Sequence, residues 1–233
     1  MKNKYFALLI LAASITFSTC AKLRVVLGSA LTERFFNERK EQYLESFRIL
    51  NSFGYGDFYI VEGFRTSGPT FLNEYCKNVF YSNVQDLTLR NNGVNEARTL
   101  LQGVKHFDFD PDDIVMKLTG RYYLMSDSFL KLIEAHPEVD AFVKIENNGN
   151  IYTVGFALRC KYLKEMYESI DYDHLEKAFI CIETAVGEWV TKQEKLGRIK
   201  VMYVDKLDIK AVMFGSSTNN HWNTWGAGQT LYF

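Results

Sequence analysis

The feature that most constrains this chain is an alternation of short, continuous apolar runs with stretches whose apolar residues recur every three or four positions. The runs fall at residues 23–27, 58–61, 79–81, 114–118, 141–145, 151–157, 201–204 and 209–214. Those at 23–27, 58–61 and 114–118 are apolar at nearly every position rather than every second one, as strands covered on both faces are. Between the runs, Phe36, Tyr43, Phe47 and Leu50 recur at helical spacing. So do Val94, Ala97, Leu101 and Val104, and later Leu163, Met166 and Ile170. The clearest periodic stretch joins Leu175, Phe179, Ile182, Val186 and Val190 and predicts one helix. Strand and helix alternating in this way build βαβ units with right-handed crossovers. The expected fold is therefore α/β and Rossmann-like, a mostly parallel sheet flanked by helices in a single domain. Asn147-Asn148-Gly149-Asn150, a turn between two runs, adds one antiparallel excursion.

The 233 residues, 47% of them hydrophobic, suffice for a core that needs no disulfide or metal staple. Net charge is −1, and the densest basic stretch (Arg34, Arg39, Lys40, Arg48) is interleaved with Glu33, Glu38, Glu41 and Glu45. That pattern reads as a solvated helix face with opposite charges at helical spacing. With no basic stripe elsewhere, nucleic acid is excluded as a partner. At the N-terminus, Lys2 and Lys4 precede an apolar run from Tyr5 to Phe17, and Thr19-Cys20-Ala21 supplies small residues at a cleavage position. This is the layout of a secretory signal peptide, and the run is short for a membrane span. The alternatives are an uncleaved anchor, a misplaced start, and a lipidated Cys20, for which Phe17-Ser18-Thr19 is a poor preceding sequence. The expected organisation is a leader at 1–21, a domain at 22–215 and a tail at 216–233. A true leader implies the secretory pathway or membrane association; without one the chain is cytoplasmic. Cys76, Cys160 and Cys181, odd in number and widely spaced, fit buried apolar residues better than a disulfide framework or zinc site.

In open α/β sheets, ligands bind beyond the carboxyl ends of the strands. That directs attention to Gly28-Ser29-Ala30, Glu62-Gly63, Thr119-Gly120-Arg121, Glu146-Asn147 and the segment from Gly215. Lys117-Leu118-Thr119-Gly120-Arg121-Tyr122 is the most unusual of these, a strand running into a glycine turn with two cations and a hydroxyl. Arg can grip a phosphate bidentately while Gly lets the backbone approach, although a plain turn with surface charges has the same composition. Asp108-Phe109-Asp110-Pro111-Asp112-Asp113 resembles a cation loop but lacks the glycine and closing glutamate of an EF-hand, and Asp and Pro before a strand are ordinary turn chemistry. Glu183, one residue past Ile182 and so about 100° from the apolar stripe, is placed to act as a general base or to sit on a solvated flank. Glu188, beside Trp189, is the second candidate. Asn219-Asn220-His221-Trp222 supplies a polar and aromatic tail that either closes over a ligand or frays. There is no P-loop, G-x-G-x-x-G, G-x-S-x-G or H-E-x-x-H segment.

Taken in order, Leu27-Gly28-Ser29-Ala30, the segment with Arg39, Tyr43 and Phe47, Val61-Glu62, Asn92-Gly93-Val94-Asn95-Glu96-Ala97 and Asp113 through Tyr122 resemble GT-A-type nucleotide-sugar glycosyltransferases. Lys117 to Tyr122 is similar to a segment of a bacterial and viral branch. The resemblance covers roughly residues 22–215. It implies a nucleotide-sugar donor and a glycan, lipid or protein acceptor. It further implies that Gly28, Ser29 and Glu62 contact the nucleoside, that Lys117 and Arg121 hold the diphosphate, and that Asn95, Thr119 and Gly120 complete the donor site. Glu183 would be the base of an inverting transfer, with His221 and Trp222 as acceptor or lid residues. The family's Asp-x-Asp metal motif is replaced here by Thr119-Gly120-Arg121. Either the cations Lys117 and Arg121 stand in for Mn²⁺ or Mg²⁺, or aspartates such as Asp108 and Asp110 supply the ligands, since both can stabilise phosphate charge. Two other functions are open on the same residues. One is a sugar nucleotidyltransferase, for which Gly28-Ser29-Ala30 is a plain loop. The other is a secreted α/β carbohydrate- or ligand-binding module stacking sugars on its 14 Tyr, 18 Phe and 3 Trp.

Overall fold

A computed structural model of the protein describes residues 21–33, 36–65, 67–213 and 229–233. Residues 1–20 of the expected leader and the His221-Trp222 pair lie outside the described residues. The elements run β1 (Leu23–Ser29), α1 (Phe36–Ser52), β2 (Tyr59–Glu62), α2 (Leu72–Tyr75), β3 (Val79–Tyr81), α3 (Asn92–Phe107), β4 (Ile114–Thr119), β5 (Tyr123–Leu124) and α4 (Ser128–Ala135). They continue with β6 (Ala141–Val143), β7 (Gly155–Arg159), α5 (Cys160–Ser169), α6 (Tyr172–Ala178), α7 (Ile182–Lys195), β8 (Val201–Tyr203), β9 (Ile209–Met213) and β10 (Gln229–Tyr232). Seven strands form the central sheet in the order β3-β2-β1-β4-β7-β6-β8. All its pairings are parallel except the two that β7 makes, with β4 and β6. This is the mostly parallel, helix-flanked single domain that the sequence predicts, with the antiparallel excursion around Gly149 in place. Among the described residues, no helix is long and apolar enough to cross a membrane.

Both faces of the sheet are covered, which explains the unbroken apolar runs. On β1, Val25 and Leu27 join one core with Tyr43, Phe47 and Leu50 of α1 and Phe129, Leu130 and Ile133 of α4. Val26 points to the other, with Val94, Ala97, Leu100 and Val104 of α3, Met166 of α5 and Val186 and Val190 of α7. Because α1 crosses one face and α3 the other, the strand order reverses at β1: β2 and β3 lie to one side and β4 to the other. That reversal is a topological switch point, the place where open α/β sheets leave a crevice beyond the strand ends.

Four expectations change. The stretch from Leu175 to Val190 is two helices, because Phe179 adopts a left-handed conformation (φ 53°) that ends α6 and its ring lies 4.2 Å from the Arg90 guanidinium instead of in the core. The strand expected at 151–157 pairs as Gly155–Arg159, so that Arg159 reaches Asp140 and the carbonyls of Asp112, Pro137 and Val139 at the far end of the sheet. Part of the expected tail is a strand: β10 pairs with β9 in a second sheet of order β10-β9-β5, and Phe233 N–H donates to Ile209 O at 2.9 Å. Cys181 is exposed at the start of α7, whereas Cys76 and Cys160 are buried as expected, and burial pushes the Cys76 thiol up to about 11.

The close seating of α3 on β2 depends on Gly103, where an added Cβ would overlap Val61 Cγ2. Val61 is fully buried and β-branched, so it has little freedom to move aside. Gly103→Ala should therefore destabilise the domain by about 1–3 kcal/mol, read as a lower midpoint in urea, despite alanine's better helix propensity.

Candidate functional site

At the switch point a cleft of about 420 Å³ opens over the carboxyl ends of β1, β2 and β4. Its floor is Gly28, Ser29 and Ala30 after β1, Gly63 and Phe64 after β2, and Thr119 and Arg121 after β4. The two inner strand ends are drawn together at Gly120, whose N–H donates to Gly28 O at 2.8 Å. A Cβ there would stand 3.0 Å from both that carbonyl and the Tyr43 ring, so a larger residue would wedge β1 from β4. From one face of the sheet α1 contributes Arg39 and Tyr43; from the other, α3 contributes Asn92, Asn95, Glu96 and Thr99. The last four are spaced three, four and seven apart, one side of a helix.

Glu62 lies beneath this floor rather than in it. It is fully buried, and its carboxylate accepts hydrogen bonds from Ser29 Oγ (2.5 Å) and from the N–H groups of Leu31 (3.0 Å), Phe64 (2.7 Å) and Arg65 (2.9 Å). It ties the loop after β1 to the loop after β2, so the cleft's shape depends on it while a nucleoside contact does not. Asn95 lines the cleft with a side chain that both donates to and accepts from the Asp86 backbone, holding the wall carrying Gln85, Leu87 and Leu89. Glu176 of α6 anchors the same wall by accepting from Arg90 and Asn91 N–H at 2.9 Å each.

The expected cations separate. Arg121 is half-buried on the cleft wall, its guanidinium 4.5 Å from the Tyr122 ring. Lys117 is on the α3 side of β4, 1% exposed, with its ammonium donating to Glu96, Thr119 Oγ1 (3.0 Å) and the Thr153 carbonyl. In the place expected for Lys117 stands Arg39, which the sequence assigns to a solvated face. Its Nη1 donates to Ala30 O at 2.7 Å, while its buried Nε has no hydrogen-bond partner among the described residues. Burial, together with the like charge of Arg121, pulls the Arg39 guanidinium below its usual range. Gln85 Oε1, also on a lining residue, is a second buried atom without a hydrogen-bond partner among the described residues.

Glu183 is in the first turn of α7 and accepts from Thr153 Oγ1, one residue's hydroxyl away from the Lys117 ammonium; it is not among the residues lining the cleft. Glu188 is exposed farther along α7, beside a shallow groove with Asn148 and Lys192. Asp108 and Asp110 are exposed at the opposite end of β4, roughly 20 Å away along six residues of strand. There Asp108 is the left-handed cap of α3 and Asp110 accepts from Asp112 N–H, which is turn chemistry. Glu96 is the only carboxylate among the described lining residues, and an ammonium already holds it. No group of three or more His, Cys, Asp or Glu side chains among the described residues could hold a metal ion. The described lining of the cleft, with two guanidiniums and one carboxylate already held by an ammonium, therefore does not fit Mn²⁺ or Mg²⁺.

The role assigned to Glu62 is checked by two substitutions. Glu62→Ala leaves the buried Leu31 N–H and the half-buried Phe64 and Arg65 N–H groups without their acceptor and should cost about 2 kcal/mol or more of unfolding free energy. Glu62→Gln keeps an oxygen for those three donors and turns its amide toward Ser29 Oγ, so chemical denaturation should show a much smaller loss.

The chain matches no protein-family model, and no curated protein matches it. Among solved structures it is similar to the apo form of glycosyltransferase GlyE of Streptococcus pneumoniae TIGR4, with TM-score 0.46 and 12% identity over 78% of this chain and 45% of that one. It is also similar to the galactosyltransferase LgtC in complex with donor and acceptor sugar analogs, with TM-score 0.46 and 10% identity over 76% and 72% of the two chains. A third is the apo form of mouse xyloside xylosyltransferase 1, with TM-score 0.35 and 10% identity over 79% and 85%. The chain thus spans less than half the length of GlyE. The likeness is one of overall fold.

Proposed function

We propose that this chain is a nucleotide-sugar-dependent glycosyltransferase whose donor lies in the cleft at the β1/β4 switch point. The observation that carries this is the pair Arg39 and Arg121: two like charges on one wall, the first with a buried Nε lacking a partner. An unpaired buried donor and an unbalanced charge both cost free energy, and an anion between the guanidiniums removes both costs. On the other wall stand the amides and carboxylate of α3, which suit hydroxyls. A ligand with an anionic centre and a polyol end matches both walls, and a nucleotide sugar is such a ligand.

The transfer follows from that placement. The acceptor hydroxyl loses its proton to a carboxylate, its oxygen bonds to the anomeric carbon, and the bond from that carbon to the phosphate oxygen breaks. The electron pair leaves with the nucleoside diphosphate, whose growing charge Arg39 and Arg121 stabilise. We assign the base to Glu183, giving inversion at the anomeric carbon. Its carboxylate sits at the positive end of α7 and would exchange the Thr153 hydroxyl for that of the acceptor. Acceptor identity, whether glycan, lipid or protein, and a route through the secretory pathway or at a membrane belong to the same proposal.

Binding is the direct test. Residues 22–233 screened by thermal shift against UDP, GDP, CMP and dTDP, with and without manganese, should respond to one of them. A ligand at a hundred times its dissociation constant adds about 2.7 kcal/mol of stability. No shift with any nucleotide would remove the transferase assignment. Arg39→Ala and Arg121→Ala should each weaken that nucleotide by about tenfold or more, the scale of one charge-assisted hydrogen bond. Glu183→Gln should lower kcat by about 10²–10⁴-fold while sparing nucleotide affinity; unchanged turnover at matched folding would rule it out as the base.

A further inference from the structure

Lys117 has no proton left to give a ligand. An ammonium carries three donors, and here Glu96 Oε1, Thr119 Oγ1 and the Thr153 carbonyl accept all three. Glu96 is its opposite: on the cleft wall, its side chain 42% exposed, with Lys117 as its one ion-pair partner among the described residues. Its neighbour on that wall, Asn95, is occupied with the Asp86 backbone. The α3 wall therefore offers a ligand one strong acceptor, fixed at one oxygen.

Resting on the nucleotide-sugar assignment above, we propose that Glu96 is the specificity-determining residue for the transferred sugar and Lys117 its positioning residue. Glu96 Oε2 accepts hydrogen bonds from hydroxyls of the sugar, and the buried ammonium sets the direction of the carboxylate by holding Oε1. An ionised carboxylate is an acceptor only, and a sugar ring presents O–H donors on adjacent carbons. Its charge repels phosphate, so the diphosphate is driven to the Arg39 and Arg121 wall and the donor has one orientation in the cleft. The Thr153 segment that accepts from Lys117 also presents its hydroxyl to Glu183, so one buried charge braces the sugar-binding group and the assigned base together.

The test compares two ligands on each variant: the nucleotide that binds in the screen, and the same nucleotide esterified to glucose, galactose, mannose or N-acetylglucosamine. Glu96→Gln should weaken the preferred nucleotide sugar by about tenfold or more and leave the bare nucleotide within about twofold. Lys117→Met should show the same split. The double variant should be no weaker than the poorer single one, since Lys117 acts through Glu96. If Lys117→Met weakens bare nucleotide and nucleotide sugar equally, the ammonium meets the diphosphate and the positioning role is overturned. If Glu96→Gln weakens neither ligand, or both alike, the sugar assignment is overturned while the transferase assignment stands. Wild-type protein that binds no nucleotide overturns the transferase assignment and this one with it. Should Lys117→Met fail to fold, Glu96→Gln decides the sugar assignment and Lys117→Arg, which keeps the charge but moves its donors, decides the positioning role: loss of nucleotide-sugar affinity alone supports it, and equal loss of bare nucleotide overturns it.

Discussion

An ammonium in the middle of the central strand has to be neutralised before a sheet can close over it. Moving such an ion from water into a protein interior costs several kcal/mol even after relaxation, and only well-placed partners offset that. Lys117 meets this condition with a carboxylate from α3, a hydroxyl two residues ahead on its own strand and a carbonyl from the segment before β7. Those three acceptors come from parts of the chain far apart in sequence. The ammonium therefore fixes how α3, β4 and the 150–154 segment stand to one another, and the first two of these line the cleft. A strand with leucine at 117 would pack more easily, but nothing would then pin Glu96 or draw Thr153 toward the sheet.

The other face is governed by a carboxylate instead. Glu62 satisfies three backbone N–H groups and a serine hydroxyl from two loops, donors that would otherwise need partners of their own. Tyr43 adds a bond to Ala30 N–H at 2.9 Å from within the α1 core. With Gly120 pressed against Gly28 O, the loop after β1 is held from below, from the side and from β4. A cleft whose floor is this over-determined can carry unsatisfied groups on its walls without collapsing onto them, as Arg39 Nε and Gln85 Oε1 require.

How much of this was legible in the sequence depends on whether a residue's partner is near it in the chain or only near it in space. The strands were legible because their runs are apolar on both sides, and the rule that ligands sit past strand ends pointed to Gly28, Ser29, Thr119 and Arg121, which line the cleft, and to Gly120, which draws two strand ends together beneath it. Glu62 sits at a strand end too, but its backbone register, not its chemistry, turns the side chain under the floor. Arg39 was hidden among alternating charges, although it stands four residues before Tyr43 on the buried side of α1. Glu96 was hidden similarly, one turn along from Asn92 and beside the apolar stripe of α3. Both become site residues only when α1 and α3 approach the same strand ends from opposite faces, which no local pattern encodes. The break at Phe179 was invisible because Leu175 and Ile182 both reach the same core across it, preserving the apparent helical phase. Asp108 and Asp110 carry the right chemistry at the wrong end of β4.

The two walls also differ in how well the fold satisfies them without a ligand. On the α3 wall the one charge pair is closed, Glu96 against Lys117, and the Asn95 amide is engaged with the Asp86 backbone, so removing either member of the ion pair exposes an unpaired charge. On the opposite side Arg39 of α1 is held below its usual range first by burial and then by the like charge of Arg121. Stability is given up there, and a protein selected for folding alone would not be expected to keep such a pair. An anion that bridges the guanidiniums recovers what the fold leaves open, and it does so only in the native state, where the two converge. In the proposed complex the diphosphate would meet the groups of the cleft that the described fold satisfies least, one on α1 and one on the turn after β4.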